Sequence, residues 1–187
     1  MKKWLISSVL LLTSVSAFAQ ICSPNISRSA PNSRFVVQDS GIVKDLKTGL
    51  TWMRCPVGKT WDAAQSSCSG KSAEFLWQPA LQRANDIANS PLDSLYQFAG
   101  VTNWRLPNIK ELQSLIEKGC HTPMLNSKAF PNFIDKDVVT TRTIWSSTPV
   151  GSGDAVLVLN TVHGEIYPQE PNKAGANYAI MMVSDSK

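Results

Sequence analysis

The sequence predicts an α+β fold in which two main helices pack beside an antiparallel sheet. Two observations carry this prediction. Short β-branched and aromatic segments fill the first and last thirds of the 187-residue chain, and two segments with helical periodicity lie between them. The order strands, helices, strands is typical of an antiparallel sheet with segregated helices. The four cysteines add two expected disulfides, because an even count is usual in small exported domains.

The N-terminus has the features of a secretory leader. Lys2 and Lys3 precede an apolar run at residues 4–12, and Ala17-Phe18-Ala19 is a small-x-small cleavage site. The run is too short to anchor the chain in a bilayer, and no later segment is apolar enough to span one. We therefore expect a signal peptide at residues 1–19, cleavage before Gln20, and a protein that is periplasmic, secreted or on the cell surface.

The charge pattern argues against nucleic acid as a partner. The formal net charge is +4, of which Lys2 and Lys3 supply two, and charged residues make up only 17% of the chain. No run of Lys or Arg forms a basic stripe.

The cysteines allow three pairings. Cys55 and Cys68 are close in sequence, so we pair them. Cys22 then pairs with Cys120 and pins a polar tail at residues 20–33 to the end of the central helix. A metal site is the rival interpretation, but the sequence has no Cys-x-x-Cys and only two histidines, so we expect no metal.

The main domain is predicted at residues 34–187 and begins with three short strands. Turn residues at 39–41 and 47–49 separate them. The strands are Arg34–Val37, Ile42–Asp45 and Leu50–Met53. In the loop between Cys55 and Cys68, Trp61–Ala64 is predicted to form a helical turn. A helix then spans Trp77–Ala88, where apolar residues share one face, and Ser90-Pro91 ends it.

The central helix has the most complete local signal in the chain. Asn108 occupies an N-cap position and Glu111 follows three residues later, as in a capping box. Pro107 keeps Leu106 extended before the helix. The apolar face is Ile109, Leu112, Leu115 and Ile116, and Gly119 is predicted to close the helix.

The segment before that helix supplies an aromatic and a cation. We expect Trp104 to lie in the core, and Trp145 likewise on a later strand. Arg105 is flanked by Trp104 and Leu106, so its guanidinium is expected to meet a carboxylate or carbonyl groups rather than a ligand.

The last third is predicted to be strands. These are Thr143–Ser147, Ala155–Leu159, Glu165–Tyr167 and a closing strand at Asn177–Ser184 with Tyr178, Ile180 and Met182 on one face. Two polar loops, residues 121–143 and 169–176, are the expected places for a ligand, because loops on a rigid scaffold usually carry binding.

Five motifs, taken together, resemble one bacterial domain family. They are Gly49-Leu-Thr-Trp-Met53, Trp61-Asp62-Ala-Ala64, Trp104-Arg-Leu-Pro-Asn-Ile-Lys-Glu-Leu112, Phe130-Pro131 and Ile144-Trp145-Ser-Ser147. They are similar to the C-terminal domain of the Legionella collagen-like adhesin, over about residues 35–183. The resemblance implies a C-type-lectin-like α+β fold. Many members carry an Arg-Cys pair on the last strand, where this chain has Met181-Met182, and no collagen-like repeat precedes the domain here.

The expected function is an exported, non-enzymatic binding module. The resemblance implies an adhesin-like role, with carbohydrate or a glycosaminoglycan as the candidate ligand. The alternative is a structural or assembly subunit of an envelope or pilus-type complex, which binds protein partners and forms oligomers. A formylglycine-generating activity, suggested by a similarity of Arg105-Leu106-Pro107 to that superfamily, would need a late cysteine pair, and no cysteine follows Cys120. Ser146 and Ser147 have no supporting hydrolase motif.

The candidate ligand residues are Glu165, Glu170 and Asn172. Glu170-Pro171-Asn172 matches a tripeptide with which some lectins hold sugar hydroxyls through Ca²⁺, and oxygen ligands suit that ion. The partner Trp-Asn-Asp motif is missing downstream, so we expect no cofactor, with calcium kept as a candidate to test.

Overall fold

The computed structural model describes residues 20–135 and 138–185. The predicted signal peptide at residues 1–19 lies outside the described residues. Within these ranges, eleven strands and two α-helices follow one another: β1 Ile21–Cys22, β2 Phe35–Val37, β3 Ile42–Asp45, β4 Thr51–Met53, β5 Thr60–Asp62, β6 Ser67–Ser69, α1 Trp77–Asn89, α2 Ile109–Ser114, β7 Cys120–His121, β8 Thr143–Val150, β9 Ala155–Asn160, β10 Ile166–Gln169 and β11 Val183–Ser184. Single 3₁₀ turns lie at Asn32–Arg34, Phe98–Gly100 and Val139–Arg142.

The α+β prediction is confirmed, with two α-helices, antiparallel strand pairs and two disulfides in the described chain. The prediction of one sheet is wrong. The larger sheets have the orders β11-β4-β3-β2 and β10-β9-β8, and β1-β7 and β5-β6 form separate pairs. None of the helices in the described ranges has the length and apolar character that crossing a bilayer requires.

The predicted closing strand is mostly an extended segment between two cores. Only β11 at its end pairs as a strand, because the carbonyls before it bond to separate partners, such as Ile180 O with Val57 N–H. Its side chains alternate as predicted. Ile180 and Met182 enter the core cluster beneath α1, whereas Met181 and Val183 enter the cluster beneath α2. The segment therefore joins both halves of the domain.

The capping box of α2 is confirmed. Asn108 Oδ1 accepts from Glu111 N–H at 3.0 Å, and Glu111 Oε2 accepts from Asn108 N–H at 2.7 Å. The helix ends earlier than predicted, at Ser114, and Gly119 does not have a left-handed backbone. Ile116 instead bridges to Leu125, so long-range pairing overrides the C-terminal glycine signal.

Removing the cap acceptor should weaken the fold measurably. We expect Asn108→Ala to lower the free energy of unfolding by about 1 kcal/mol, because Glu111 N–H loses its partner. Urea unfolding checks the value. Asn108→Ser keeps an acceptor and should stay near the parent, and an equal loss for both variants would contradict a capping role.

Trp61 and Asp62 lie in a hairpin rather than in the predicted helical turn. Trp61 pairs with Cys68 across β5 and β6, and the disulfide from Cys68 to Cys55 fixes the hairpin beside β4. The cross-strand pairing satisfies backbone groups that an isolated helical turn would leave open.

The N-terminal tail is held by more than its disulfide. Cys22 bonds to Cys120 as predicted, within the β1-β7 pair. The buried Glu117 carboxylate also accepts from the N–H groups of Ser29 and Ala30 at 2.8 and 2.9 Å. Burial alone would raise the pKa of Glu117, but these backbone donors outweigh it and hold the pKa below its ordinary value. The tail is therefore an integral layer of the domain.

Candidate functional site

The polar loop at 121–143 keeps its shape with little regular structure. In its described part, only β7 and the 3₁₀ turn Val139–Arg142 are regular. Core cations bind its carbonyls instead: Arg54 donates to the carbonyls of Lys128 and Ala129, both at 2.9 Å, and Lys59 Nζ donates to Asn132 O at 2.5 Å. Arg54 directly follows β4 and Lys59 directly precedes β5. Their hydrogen bonds therefore hold the loop against these two strands.

Arg54 is positioned by an aromatic ring. Its guanidinium lies 4.1 Å from the ring centroid of Trp61, and Trp61 Nε1 donates to Asp39 O at 2.7 Å. A buried guanidinium is expensive unless its donors are satisfied, and here the ring and the loop carbonyls do so. The Trp61 hairpin therefore supports the loop through Arg54.

An ion pair between the buried Lys59 and the half-buried Asp135 fastens the middle of the loop. Lys59 Nζ lies 2.6 Å from Asp135 Oδ1, and Asp135 Oδ2 accepts from Ser72 N–H at 2.9 Å. Burial alone would raise the pKa of Asp135, but the bonds from Lys59 and Ser72 outweigh it and lower the pKa. Asp135 therefore stays ionised near neutral pH and keeps the pair intact.

The loop encloses a cavity of about 340 Å³, which we call the loop cavity. Its volume falls in the range of sites for small ligands. Its lining combines apolar and polar side chains: Thr122, Pro123, Leu125, Ser127, Phe130, Asn132, Phe133, Ile134, Arg142, Val162 and His163.

The apolar floor of the loop cavity belongs to the main core. Phe130 and Phe133 are buried and meet edge to face, with ring centroids 6.3 Å apart. Phe130 meets Phe35 of β2 in the same way at 6.0 Å. The floor is therefore rigid, since moving it would disturb the core.

The rim of the cavity is polar and carries one guanidinium and one imidazole. Arg142 and His163 approach it from the start of β8 and from the turn after β9. Among the described residues, no Asp or Glu lines the cavity. The arrangement suits a ligand with an apolar face and an anionic substituent.

The N-terminal tail contacts this rim from outside the cavity. Gln20 Nε2 donates to Pro123 O at 2.9 Å and to Leu125 O at 3.1 Å. Two residues that line the cavity are thus held by the first residue of the described chain.

The predicted ligand residues Glu165, Glu170 and Asn172 do not line the loop cavity. Glu165 and Glu170 flank β10 and are exposed, and their five-position offset along an extended strand corresponds to roughly 16 Å. Asn172 is exposed, and Pro171 O accepts from Trp77 N–H at 3.3 Å. The described residues contain no group of three or more His, Cys, Asp or Glu side chains placed to hold a metal ion.

The residues of the central motif position the scaffold. Trp104 and Trp145 are buried, as expected, and Leu106 is also in the core. Arg105 donates to both oxygens of Glu111, at 2.9 and 2.8 Å, and also pairs with Asp185 at 3.0 Å. The carbonyl of Pro107 accepts from Ser147 N–H at 2.8 Å. This cluster ties the start of α2 to the end of the chain, away from the loop cavity.

Sequence reasoning identified the loop but missed the cations that shape it. Arg54, Lys59 and Arg142 carry no local motif. The only signal in the sequence was weak. Arg54 and Lys59 are isolated cations that follow Met53 and Gly58, and a cation in an apolar region must find acceptors when it becomes buried.

The comparisons with known proteins agree with the resemblance read from the motifs. No curated protein matches the sequence. A family model described as the Lcl C-terminal domain matches residues 41–184, which is most of the chain and includes the hairpin, both helices and the loop cavity. The chain therefore belongs to the Lcl C-terminal domain family.

Proposed function

We propose that this protein is an exported, non-enzymatic binding module whose loop cavity takes an anionic sugar, such as a sulfated unit of a glycosaminoglycan. The observation that carries the proposal is the loop cavity itself. It has a rigid apolar floor, a polar rim with Arg142 and His163, and no carboxylate among its described lining residues.

The chemistry of such a sugar matches the two sides of the cavity. A pyranose ring presents C–H groups on its faces, which suit Phe133 and Val162, and hydroxyl groups at its edge, which suit Thr122 and Ser127. A sulfate or carboxylate pairs well with a guanidinium, because the planar donors of Arg142 fit two anionic oxygens.

Export and a C-type-lectin-like architecture are parts of the same proposal. The two disulfides support an oxidising compartment, and membership of the family supports the architecture. An adhesin-like role at the cell surface follows if the ligand belongs to another cell.

Titration with a sulfated heparin disaccharide tests the site. We expect calorimetric binding that weakens about tenfold in Arg142→Gln, which corresponds to roughly 1.4 kcal/mol, and a smaller loss in His163→Gln. The desulfated disaccharide should bind more weakly than the sulfated form, because it lacks the anion.

A matched control separates a specific site from general charge attraction. Lys173→Gln removes an exposed cation from the 169–176 loop and should leave binding unchanged. Equal weakening in Lys173→Gln and Arg142→Gln would reject the loop cavity as the site, and so would binding that both cavity variants leave intact. Adding Ca²⁺ to the same titration tests the remaining cofactor candidate, and we expect no change.

One surface favours the assembly role as the second candidate. Among the described strands, β2 is one of the two edges of the four-stranded sheet, and Val36 and Val37 are 46% and 41% exposed there. Exposed apolar edge strands are templates for pairing with another chain. Sedimentation of the parent and of Val36→Lys tests this role: an oligomer that the lysine dissociates would favour assembly.

A further inference from the structure

A second cavity of about 520 Å³ is lined by Thr60 and Trp61 of the β5-β6 hairpin. We call it the Trp61 cleft. Its walls are the hairpin segment at residues 55–61 and the connection after α1, at residues 94–98, with Met53 and Phe75 beneath. It shares no lining residue with the loop cavity, so a ligand here does not depend on the proposed function.

Four large apolar side chains converge on the cleft without becoming fully buried. They are Trp61, Phe75, Leu95 and Phe98. The described chain places nothing in the space between them, although each of the last three also packs against the core beneath α1. Convergent, partly exposed aromatic groups around a preformed space are typical of a site for a small molecule.

The two walls are held in place. Trp61 is fixed by its bond to Asp39 O and by Arg54 against its ring. It is also fixed by Gly41, where a Cβ atom would lie 2.6 Å from Trp61 Cγ. The tryptophan therefore cannot turn inward to fill the cleft.

The opposite wall contains strained backbone. Gln97 and Ala99 have left-handed φ values of 49° and 54°, a conformation that side chains other than glycine adopt at a cost. They flank Phe98, whose ring stays partly exposed. In a flexible surface connection these two residues would relax to an unstrained backbone. The strain therefore indicates that the position of the Phe98 ring is fixed by the fold.

The charges that line the cleft are already matched. Lys59 pairs with Asp135, and Arg83 pairs with Asp93, whose other oxygen also accepts from Leu95 N–H at 2.9 Å. An anionic ligand would have to compete with these carboxylates, and a cationic one would meet two cations. The balance favours an uncharged ligand.

We propose that the Trp61 cleft is a second binding site, which takes a small, uncharged aromatic molecule between Trp61 and Phe98. Rings contribute most of the contact, through stacked or edge-to-face packing. The hydroxyl groups of Thr60 and Ser94 at the lining can accept or donate one hydrogen bond to a polar substituent.

Fluorescence of N-phenyl-1-naphthylamine, an uncharged aromatic probe, tests the site in the oxidised protein. We expect the fluorescence of the probe to rise to saturation as protein is added. Benzyl alcohol should displace the probe. Benzoate, which carries the same ring with a negative charge, should displace it much less. The sulfated heparin disaccharide should not displace the probe. Equal displacement by benzyl alcohol and benzoate would overturn the assignment to an uncharged ligand.

Two variants locate the binding. Phe98→Ser removes one ring and should lower the affinity for the probe by roughly threefold to tenfold. Ser94→Trp fills the cleft from an exposed position. It should lower the affinity for the probe at least as much as Phe98→Ser, without removing any core contact. Leu92→Ser is the control, because Leu92 is 98% exposed in the same connection but does not line the cleft. Unchanged probe binding in Ser94→Trp, or an equal loss in Leu92→Ser, would overturn the proposal.

Discussion

Asp45→Asn should lower the free energy of unfolding by about 3 kcal/mol or more. Asp45 and Arg34 form an ion pair whose side chains are 0% and 5% exposed. Removing one partner of a buried pair leaves the other charge without compensation, which typically costs about 3–5 kcal/mol. Urea unfolding followed by tryptophan fluorescence measures the change, because Trp52 lies in the core beside β3.

The Arg34–Asp45 pair contributes this much to the free energy of unfolding because it joins three parts of the chain. Arg34 Nε donates to Asp45 Oδ1 at 2.6 Å, and a second guanidinium nitrogen bonds the other carboxylate oxygen. Arg34 also donates to Ser114 O at 2.5 Å, at the end of α2, where a helix leaves carbonyls unsatisfied. Asp45 accepts from Lys47 N–H at 2.9 Å and so also shapes the turn between β3 and β4.

Two further variants separate the buried charge from its neighbours. Asp185→Asn breaks a pair with Arg105 in which Asp185 is 67% exposed, and such pairs contribute only about 0–1 kcal/mol. The double variant Arg34→Met/Asp45→Asn should recover part of the loss, since no charge is left buried. A loss for Asp185→Asn as large as that for Asp45→Asn would contradict this account.

The same carboxylate predicts sensitivity to acid. Burial alone would raise the pKa of Asp45, but bonds from Arg34, Thr48 and Lys47 outweigh it and lower the pKa in the folded state. The unfolded chain binds a proton near pH 3.9, so this stabilisation is present above that pH and is lost as pH falls toward the folded pKa. Stability measured from pH 6 to pH 2 should fall less steeply in Asp45→Asn.

Local signals were read correctly because they act within a few residues. The capping box needs only Asn108 and Glu111, three positions apart, and Arg105 meets Glu111 only six positions along the chain. The two disulfides followed from an even count and one short separation. The capping box, the Arg105–Glu111 pair and the Cys55–Cys68 bond are decided by near neighbours along the chain, whereas the Cys22–Cys120 bond, across 98 residues, followed only as the remaining pair.

Features decided by distant partners were missed. The end of α2 depends on Ile116 meeting Leu125, and the β5-β6 hairpin depends on Cys68 facing Trp61. Arg54 reaches a carbonyl 75 positions away, and no pattern around it names that acceptor. The loop cavity was located only as a polar stretch, because its volume depends on how Phe130 and Phe133 pack.

Removing the Cys22–Cys120 disulfide should cost about 4–5 kcal/mol, more than the roughly 3 kcal/mol expected for Cys55–Cys68. The two bonds span 98 and 13 residues, and a cross-link restricts the unfolded chain more when the loop it closes is longer. Paired alanine variants, Cys22→Ala/Cys120→Ala and Cys55→Ala/Cys68→Ala, compared by urea unfolding, give both values.

The comparison also tests what holds the tail. Without the disulfide, the tail still has the bonds from Ser29 and Ala30 to the Glu117 carboxylate and those from Gln20 to the rim of the loop cavity. If these contacts keep the tail docked, Cys22→Ala/Cys120→Ala should bind the sulfated disaccharide like the parent while unfolding more easily. If Cys22→Ala/Cys120→Ala loses less free energy of unfolding than Cys55→Ala/Cys68→Ala, then Glu117, rather than the long covalent loop, provides most of the attachment of the tail.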